Sequence, residues 1–138
     1  MNMKFAGITF HHALTLGPLC NDGRVEFTIQ QYIPSKIGPG VYFVLERDKV
    51  VYIGSYQSGI IRRWVYLRKN DLYHFKKPLV SQCLNVGSTV QVFAQDEDEI
   101  KKELGCSQNV WVNSASIEAK LINMFNPEWN NHGKKQKA

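Results

Sequence analysis

Gly40-Val41-Tyr42-Phe43-Val44-Leu45-Glu46-Arg47-Asp48-Lys49-Val50-Val51-Tyr52-Ile53-Gly54 is the most readable stretch of the chain. Two runs of β-branched and aromatic residues, Val41 to Glu46 and Val50 to Gly54, flank the polar triplet Arg47-Asp48-Lys49. That pattern predicts a β-hairpin with a short turn. Downstream, Ser58-Gly59 opens a predicted helix from Ile60 to Lys69, with Ile60, Ile61, Trp64, Val65 and Leu67 as its apolar face and Ser58 as its cap. Pro78 suits the first turn of a second helix, which runs through Leu79, Val80, Cys83 and Leu84 to a stop at Gly87. Thr89 to Ala94 alternates Val90, Val92 and Ala94 with polar residues and reads as a third strand. Asp96 to Leu104 reads as a helix whose acidic start complements the helix dipole. Ser114 to Phe125 predicts a last helix, with Ile117, Leu121, Ile122 and Phe125 on one face and Asn126-Pro127 as its stop. The element order, hairpin first and mixed thereafter, is α+β rather than a βαβ array.

Upstream of the hairpin, Phe5 to Phe10 and Arg24 to Ile33 have strand composition, with the turn signal Asn21-Asp22-Gly23 between them. Pro34 to Gly40 is rich in chain breakers and marks the expected junction of an N-terminal extension (1–39) with the main unit (40–132); a Lys-rich tail (133–138) follows. The 138 residues amount to one domain's worth of chain, and 43% hydrophobic with 12% aromatic content excludes a disordered chain. No apolar run approaches the ~20 residues of a membrane helix, and the first residues lack the apolar core of a signal peptide. Cys20, Cys83 and Cys106 are odd in number and widely spaced, which argues against a disulfide framework and for a reducing, cytoplasmic setting. A formal charge of +5 favours a polyanionic partner.

Several chemistries are absent: there is no phosphate loop with Lys-Ser/Thr, no Gly-x-Ser-x-Gly and no His-Glu-x-x-His. Tyr42 and Tyr52 lie on the two hairpin strands and, by themselves, read as core tyrosines with tethered hydroxyls. Arg62 and Arg63 read as an exposed basic pair, and Glu118 as one carboxylate on a helix. His74, Lys76 and Lys77, interleaved with Tyr73 and Phe75, form either a nucleic-acid-binding patch or an ordinary solvated loop. His11-His12 has no further ligands at metal spacing.

Taken as an ordered set, Gly40-Val41-Tyr42, Tyr52-Ile53-Gly54, Arg-Arg-Trp on the following helix, Glu118 in the last helix and Asn126-Pro127-Glu128-Trp129-Asn130 after it resemble the signature of the GIY-YIG nuclease superfamily. The resemblance covers about residues 40–132 and is strongest to small stand-alone phage and restriction-type members. It implies a small central antiparallel three-stranded sheet flanked by helices. It also implies an endonuclease that hydrolyses phosphodiester bonds of double-stranded DNA with Mg²⁺ or Mn²⁺. A non-catalytic nucleic-acid-binding module on the same fold is the alternative.

Carried across by position, the resemblance makes Tyr42 and Tyr52 the two site tyrosines, Glu118 the metal ligand, and Asn130 the residue that completes the pocket. The usual spacing after Tyr52 selects Arg62 as the catalytic arginine, whereas the flanking apolar residues Ile60 and Trp64 select Arg63, which is preferred. The Tyr or His usual four residues beyond that arginine falls on Tyr66 from Arg62 and on Leu67 from Arg63, which favours Arg62, and Tyr66 lies close enough to serve either register. The basic residue common after the second triplet is replaced by Ser55, a phosphate contact that Lys76 is expected to supply. Arg68, Lys69, His74, Lys76 and Lys77 are the expected DNA-binding residues. Cutting both strands implies a homodimer, a homotetramer or sequential nicking. No membrane partner is implied, and the expected setting is the cytoplasm of a bacterial or phage-infected cell.

Overall fold

The computed structural model describes residues 2–30, 38–105 and 113–131. Cys106, the tail 133–138 and most of the Pro34–Gly40 connector lie outside the described residues. The opening stretch forms β4 (Gly40–Glu46) and β5 (Lys49–Tyr56), an antiparallel hairpin closed where Glu46 faces Lys49. Six residues of β4 are buried, so its apolar run is continuous because both of its faces are covered.

The strand β8 (Val90–Asp96) lies antiparallel on the other side of β4. The three strands predicted from the sequence are thus neighbours, but the small three-stranded sheet that was expected is replaced by a larger one. The N-terminal residues form β1 (Asn2–Phe5), β2 (Ile8–Leu19) and β3 (Val25–Ile29), and β2 pairs antiparallel with β8 from His11↔Ala94 to Leu16↔Val90. The result is one six-stranded sheet ordered β1-β2-β8-β4-β5, with β3 also on β2. The predicted run Phe5 to Phe10 is broken by a turn at Ala6-Gly7, while Asn21-Asp22-Gly23 makes the expected reversal.

The largest correction concerns residues 60–69. The helix α1 stops after one turn (Ile60–Trp64), and the chain continues as the hairpin β6 (Val65–Tyr66) and β7 (Asp71–Leu72). Val65, which is β-branched, adopts an extended backbone, and the Trp64 carbonyl accepts from Tyr73 N at 2.8 Å instead of from the next helical turn. A contact nine residues away thus outcompetes a helix that begins without an acidic first turn or a side-chain cap.

The remaining helices, α2 (Lys77–Asn85), α3 (Glu97–Glu103) and α4 (Ser114–Phe125), stand within a few residues of the sequence expectation. Asn113 caps α4 through a reciprocal pair with Ser116. The sheet has a core on each face. One gathers Tyr42, Tyr52, Tyr56, Ile60, Trp64, Val80 and Trp129; the other packs Val41, Phe43, Ile53 and Phe93 against Ile100, Ile117 and Leu121 of α3 and α4. Among the described residues, no helix is long and apolar enough to cross a membrane.

Candidate active site

Three tyrosines share one face of the hairpin, and two glycines make room for them. Across the β4–β5 pairing, Gly40 faces Tyr56, Tyr42 faces Gly54, and Val44 faces Tyr52. A Cβ on Gly54 would lie 2.5 Å from the Tyr42 Cζ and hydroxyl oxygen, and one on Gly40 would collide with the Tyr56 ring end. Each triplet's glycine is therefore the seat of a tyrosine on the opposite strand. Sequence reasoning missed Tyr56, although the spacing Tyr52-x-Gly54-x-Tyr56 carried the period-two signal that places it on this face. Its hydroxyl donates to Asp96 Oδ1 at 3.0 Å, and burial, with Asp96 adding to it, raises its pKa.

His74 sits against this ladder. It is 2% exposed, stacked on Trp64 at 3.9 Å between ring centroids, with Nε2 2.5 Å from the Tyr42 hydroxyl. The Lys76 amide donates to His74 Nδ1 at 3.0 Å, so Nδ1 is the unprotonated nitrogen of the neutral ring. Nε2 therefore carries the proton and donates to Tyr42, leaving the Tyr42 O–H to turn toward Tyr52. Burial, reinforced by the Arg63 and Lys76 charges, pushes the His74 pKa down to about 3. It is not a DNA-facing cation, and both sequence readings of this segment, solvated loop and basic patch, are corrected at this residue.

Its neighbours are also engaged. Lys76 is 8% exposed; its Nζ donates to Trp129 O at 2.9 Å and lies 5.4 Å from the Tyr52 ring centroid. Lys77 pairs with Asp71 at 2.8 Å. The aromatic spacing hid this burial, because hydrophobic and basic residues alternate identically in a solvated patch and in a segment whose cations turn inward.

Burial raises the pKa of Tyr42 well above its ordinary value. Tyr52 is raised too, by burial first, while Arg63 lowers it, Glu118 raises it and the hydrogen bond from Tyr42 lowers it. Tyr52 is thus the less strongly held of the two protons. Arg63 is half-buried, and its charge acts on both tyrosines and on His74; Arg62 is exposed. Both arginines, with Ser55, Gln57, Ser58 and Tyr73, line an open pocket of about 320 Å³. Arg63 is the arginine whose charge acts on the tyrosines, and Arg62, more exposed, lines the same pocket. Tyr66 is displaced with the hairpin: 47% exposed, its ring 5.0 Å from that of Tyr73. Arg68 and Lys69 are exposed at the hairpin tip.

Glu118 comes from α4, beside β5, and its charge disfavours ionisation of both tyrosines. Among the described residues it makes no hydrogen bond or ion pair, and no three His, Cys, Asp or Glu side chains gather as a metal cage. An uncommitted carboxylate is a hard oxygen donor of the kind that can hold a cation keeping most of its waters, such as Mg²⁺.

The segment after α4 explains itself residue by residue. Asn126 takes a left-handed backbone (φ 46°), Pro127 prevents the helix from resuming, and Trp129 enters the core on the tyrosine face. Asn130 then donates to Ile53 O at 2.8 Å and accepts from Ile53 N at 2.9 Å. Its amide caps the exposed edge of β5 inside the second triplet, a positioning contact in place of the open pocket residue that was expected.

No protein-family model and no curated protein matches this sequence. Among solved structures, that of the bacteriophage T4 EndoII E118A mutant matches with a TM-score of 0.50 and 22% identity, over 88% of this chain and 91% of that one. At that identity the likeness is one of fold: the mixed architecture of this chain, with its curled antiparallel sheet and four helices among the described residues, is consistent with a GIY-YIG-like fold. The matched 88% of this chain is more than its motif-bearing part alone, in keeping with the single continuous sheet. EndoII is a GIY-YIG endonuclease, and the resemblance carried by the two triplets holds at the level of architecture.

Proposed function

We propose that this chain is a metal-dependent endonuclease that hydrolyses phosphodiester bonds of double-stranded DNA. One observation carries the reading: Arg63 and Glu118, fifty-five positions apart in sequence, both act electrostatically on the Tyr42–Tyr52 pair. Hydrolysis of a phosphodiester needs an activated water on one side and charge stabilisation for the departing oxygen on the other. Tyr52 would take the proton of the attacking water as its tyrosinate, after losing its own proton to solvent, an ionisation that burial opposes and positive charge at the site favours. Its oxygen accepts a hydrogen bond from Tyr42, and Arg63 favours its ionised form. His74 holds Tyr42 in the orientation that makes this possible. Arg63 also serves the charge that develops on the scissile phosphate, and Arg62 at the pocket wall suits a neighbouring phosphate. A divalent cation on Glu118 would supply positive charge to the leaving 3′ oxygen and cancel the carboxylate's effect on the tyrosines.

One such site cuts one strand, so a double-strand break takes two copies, as a dimer or tetramer, or two successive nicks. The competing reading, a binding module without chemistry, draws on the raised pKa values of both tyrosines. Incubating supercoiled plasmid with Mg²⁺ or Mn²⁺ separates the two. Wild type converts it to open-circular or linear DNA, and Glu118→Ala does not. Intact plasmid with wild type overturns the nuclease reading; cutting that survives Glu118→Ala overturns the metal assignment.

A further inference from the structure

The β6–β7 hairpin is built as a rigid base with an unpaired tip. At its base, Val65 and Leu72 are buried, at 7% and 2% exposed. Asp71 Oδ1 accepts from Val25 N at 2.9 Å, Asn70 Nδ2 donates to Glu26 Oε2 at 2.8 Å, and Asp71 pairs with Lys77 at 2.8 Å. The acidic groups nearest the hairpin, Glu26 and Asp71, are thus occupied with the strand below and with Lys77. The tip turns through Leu67, Arg68 and Lys69, closed by Lys69 N to Tyr66 O at 3.2 Å and Asn70 N to Leu67 O at 3.3 Å.

The charged and apolar side chains at the tip face outward. Leu67 is 65% exposed, and among the described residues Arg68 and Lys69 form no ion pair. Lys69 Nζ rests 5.2 Å from the Tyr66 ring centroid. Tyr73, whose ring neighbours Tyr66, also lines the pocket that holds Arg62 and Arg63. The Tyr66–Tyr73 contact thus joins the hairpin to the pocket, and between them Arg62, Arg63, Arg68 and Lys69 carry no ion pair among the described residues, with Leu67 exposed at the tip. An apolar side chain flanked by cations on a narrow support matches a nucleic-acid groove: cations for the two phosphate walls and an apolar contact for the bases between them.

We propose that the β6–β7 hairpin is the DNA-recognition element, with Arg68 and Lys69 on phosphates and Leu67 against base steps in the groove. The proposal rests on the nuclease reading for its choice of a duplex as the partner. Of the expected DNA-binding residues it keeps Arg68 and Lys69, adds Leu67, and leaves out His74 and Lys76, which the fold buries, and Lys77, which pairs with Asp71.

The test is anisotropy of a fluorescent random-sequence duplex, titrated at several salt concentrations in EDTA so that no cutting takes place. Thermal melting by circular dichroism checks that each variant is folded. Each lost phosphate contact lowers the salt slope by about 0.9, so the double variant Arg68→Ala, Lys69→Ala should lose about 1.8. Leu67→Ala should keep the slope and bind about tenfold more weakly, having lost only the groove contact. An unchanged slope in the double variant, or wild-type affinity in Leu67→Ala, overturns the proposal. So do phosphatidylserine vesicles bound in place of the duplex, and a dimer that dissociates on Leu67→Asp while duplex affinity stays intact. Because binding is read without metal, plasmid left uncut alongside the expected slope loss would remove the nuclease reading and keep the hairpin. Cut plasmid with an unchanged slope would do the reverse.

Discussion

Acidification from about pH 7 to about pH 5 should cost the folded protein about 2 kcal/mol through His74 alone. The unfolded ring titrates at the ordinary value of 6.5, whereas the folded ring holds off a proton until about 3. Between those values the unfolded state binds the extra proton, so stability is whole above the upper value and falls as pH falls toward the lower one. The slope approaches about 1.4 kcal/mol per pH unit, and integrating it over that interval gives the 2 kcal/mol. The physical origin is geometric. A charged ring would need to protonate Nδ1, which accepts the Lys76 amide, and would sit 2% exposed beside Arg63 and Lys76. His74→Gln keeps a group able to donate to Tyr42 and removes the titration. Urea denaturation of wild type and His74→Gln at both pH values isolates the effect from His12, whose pKa is also lowered by burial. Wild type should lose about 2 kcal/mol more than the variant. Parallel losses would refute the buried neutral histidine, and with it the direction assigned to the Tyr42 proton.

Asn130→Ala removes two hydrogen bonds from the Ile53 backbone and should destabilise the protein by about 2 kcal/mol in urea unfolding; a change below about 0.5 kcal/mol would return Asn130 to an open pocket role. Gly54→Ala places a methyl 2.5 Å from the Tyr42 ring end, which Trp64 and His74 pack from other sides, and should cost about 1–3 kcal/mol while displacing the Tyr42 hydroxyl; single-turnover cleavage should slow with it. Arg63→Ala should lower the cleavage rate by about a hundredfold or more, and Arg62→Ala should chiefly weaken binding; the reverse pattern would exchange their roles.

The motif-bearing hairpin was legible because its signals are local: β-branched composition on both sides of a polar turn, and glycines at positions where only the absence of a Cβ admits a facing tyrosine. The last helix was legible for the same reason. Its cap, its apolar spacing and its Asn126-Pro127 stop all lie within a few residues of the elements they define. The sequence favoured Arg63 over Arg62 from its flanking apolar residues, and in the fold those flanks, Ile60 and Trp64, are the buried residues of α1 while Arg63 is half-buried and Arg62 exposed.

What the sequence by itself determined about this protein is the mixed helix-and-sheet class and the motif-bearing hairpin that sets Tyr42 and Tyr52 on facing strands. Tertiary structure alone decided the rest. Trp64 O is taken by Tyr73 N, which turns an apparent ten-residue helix into one turn and a projecting hairpin. β2 joins β8, which makes an apparent extension part of one sheet. His74 and Lys76 turn inward to Tyr42 and Trp129, so that residues reading as DNA contacts become supports of the tyrosines. The physical reason is common to all three. A free backbone carbonyl, an unpaired strand edge and a buried polar side chain each need a partner, and the partner here lies far along the chain, where no local pattern records it.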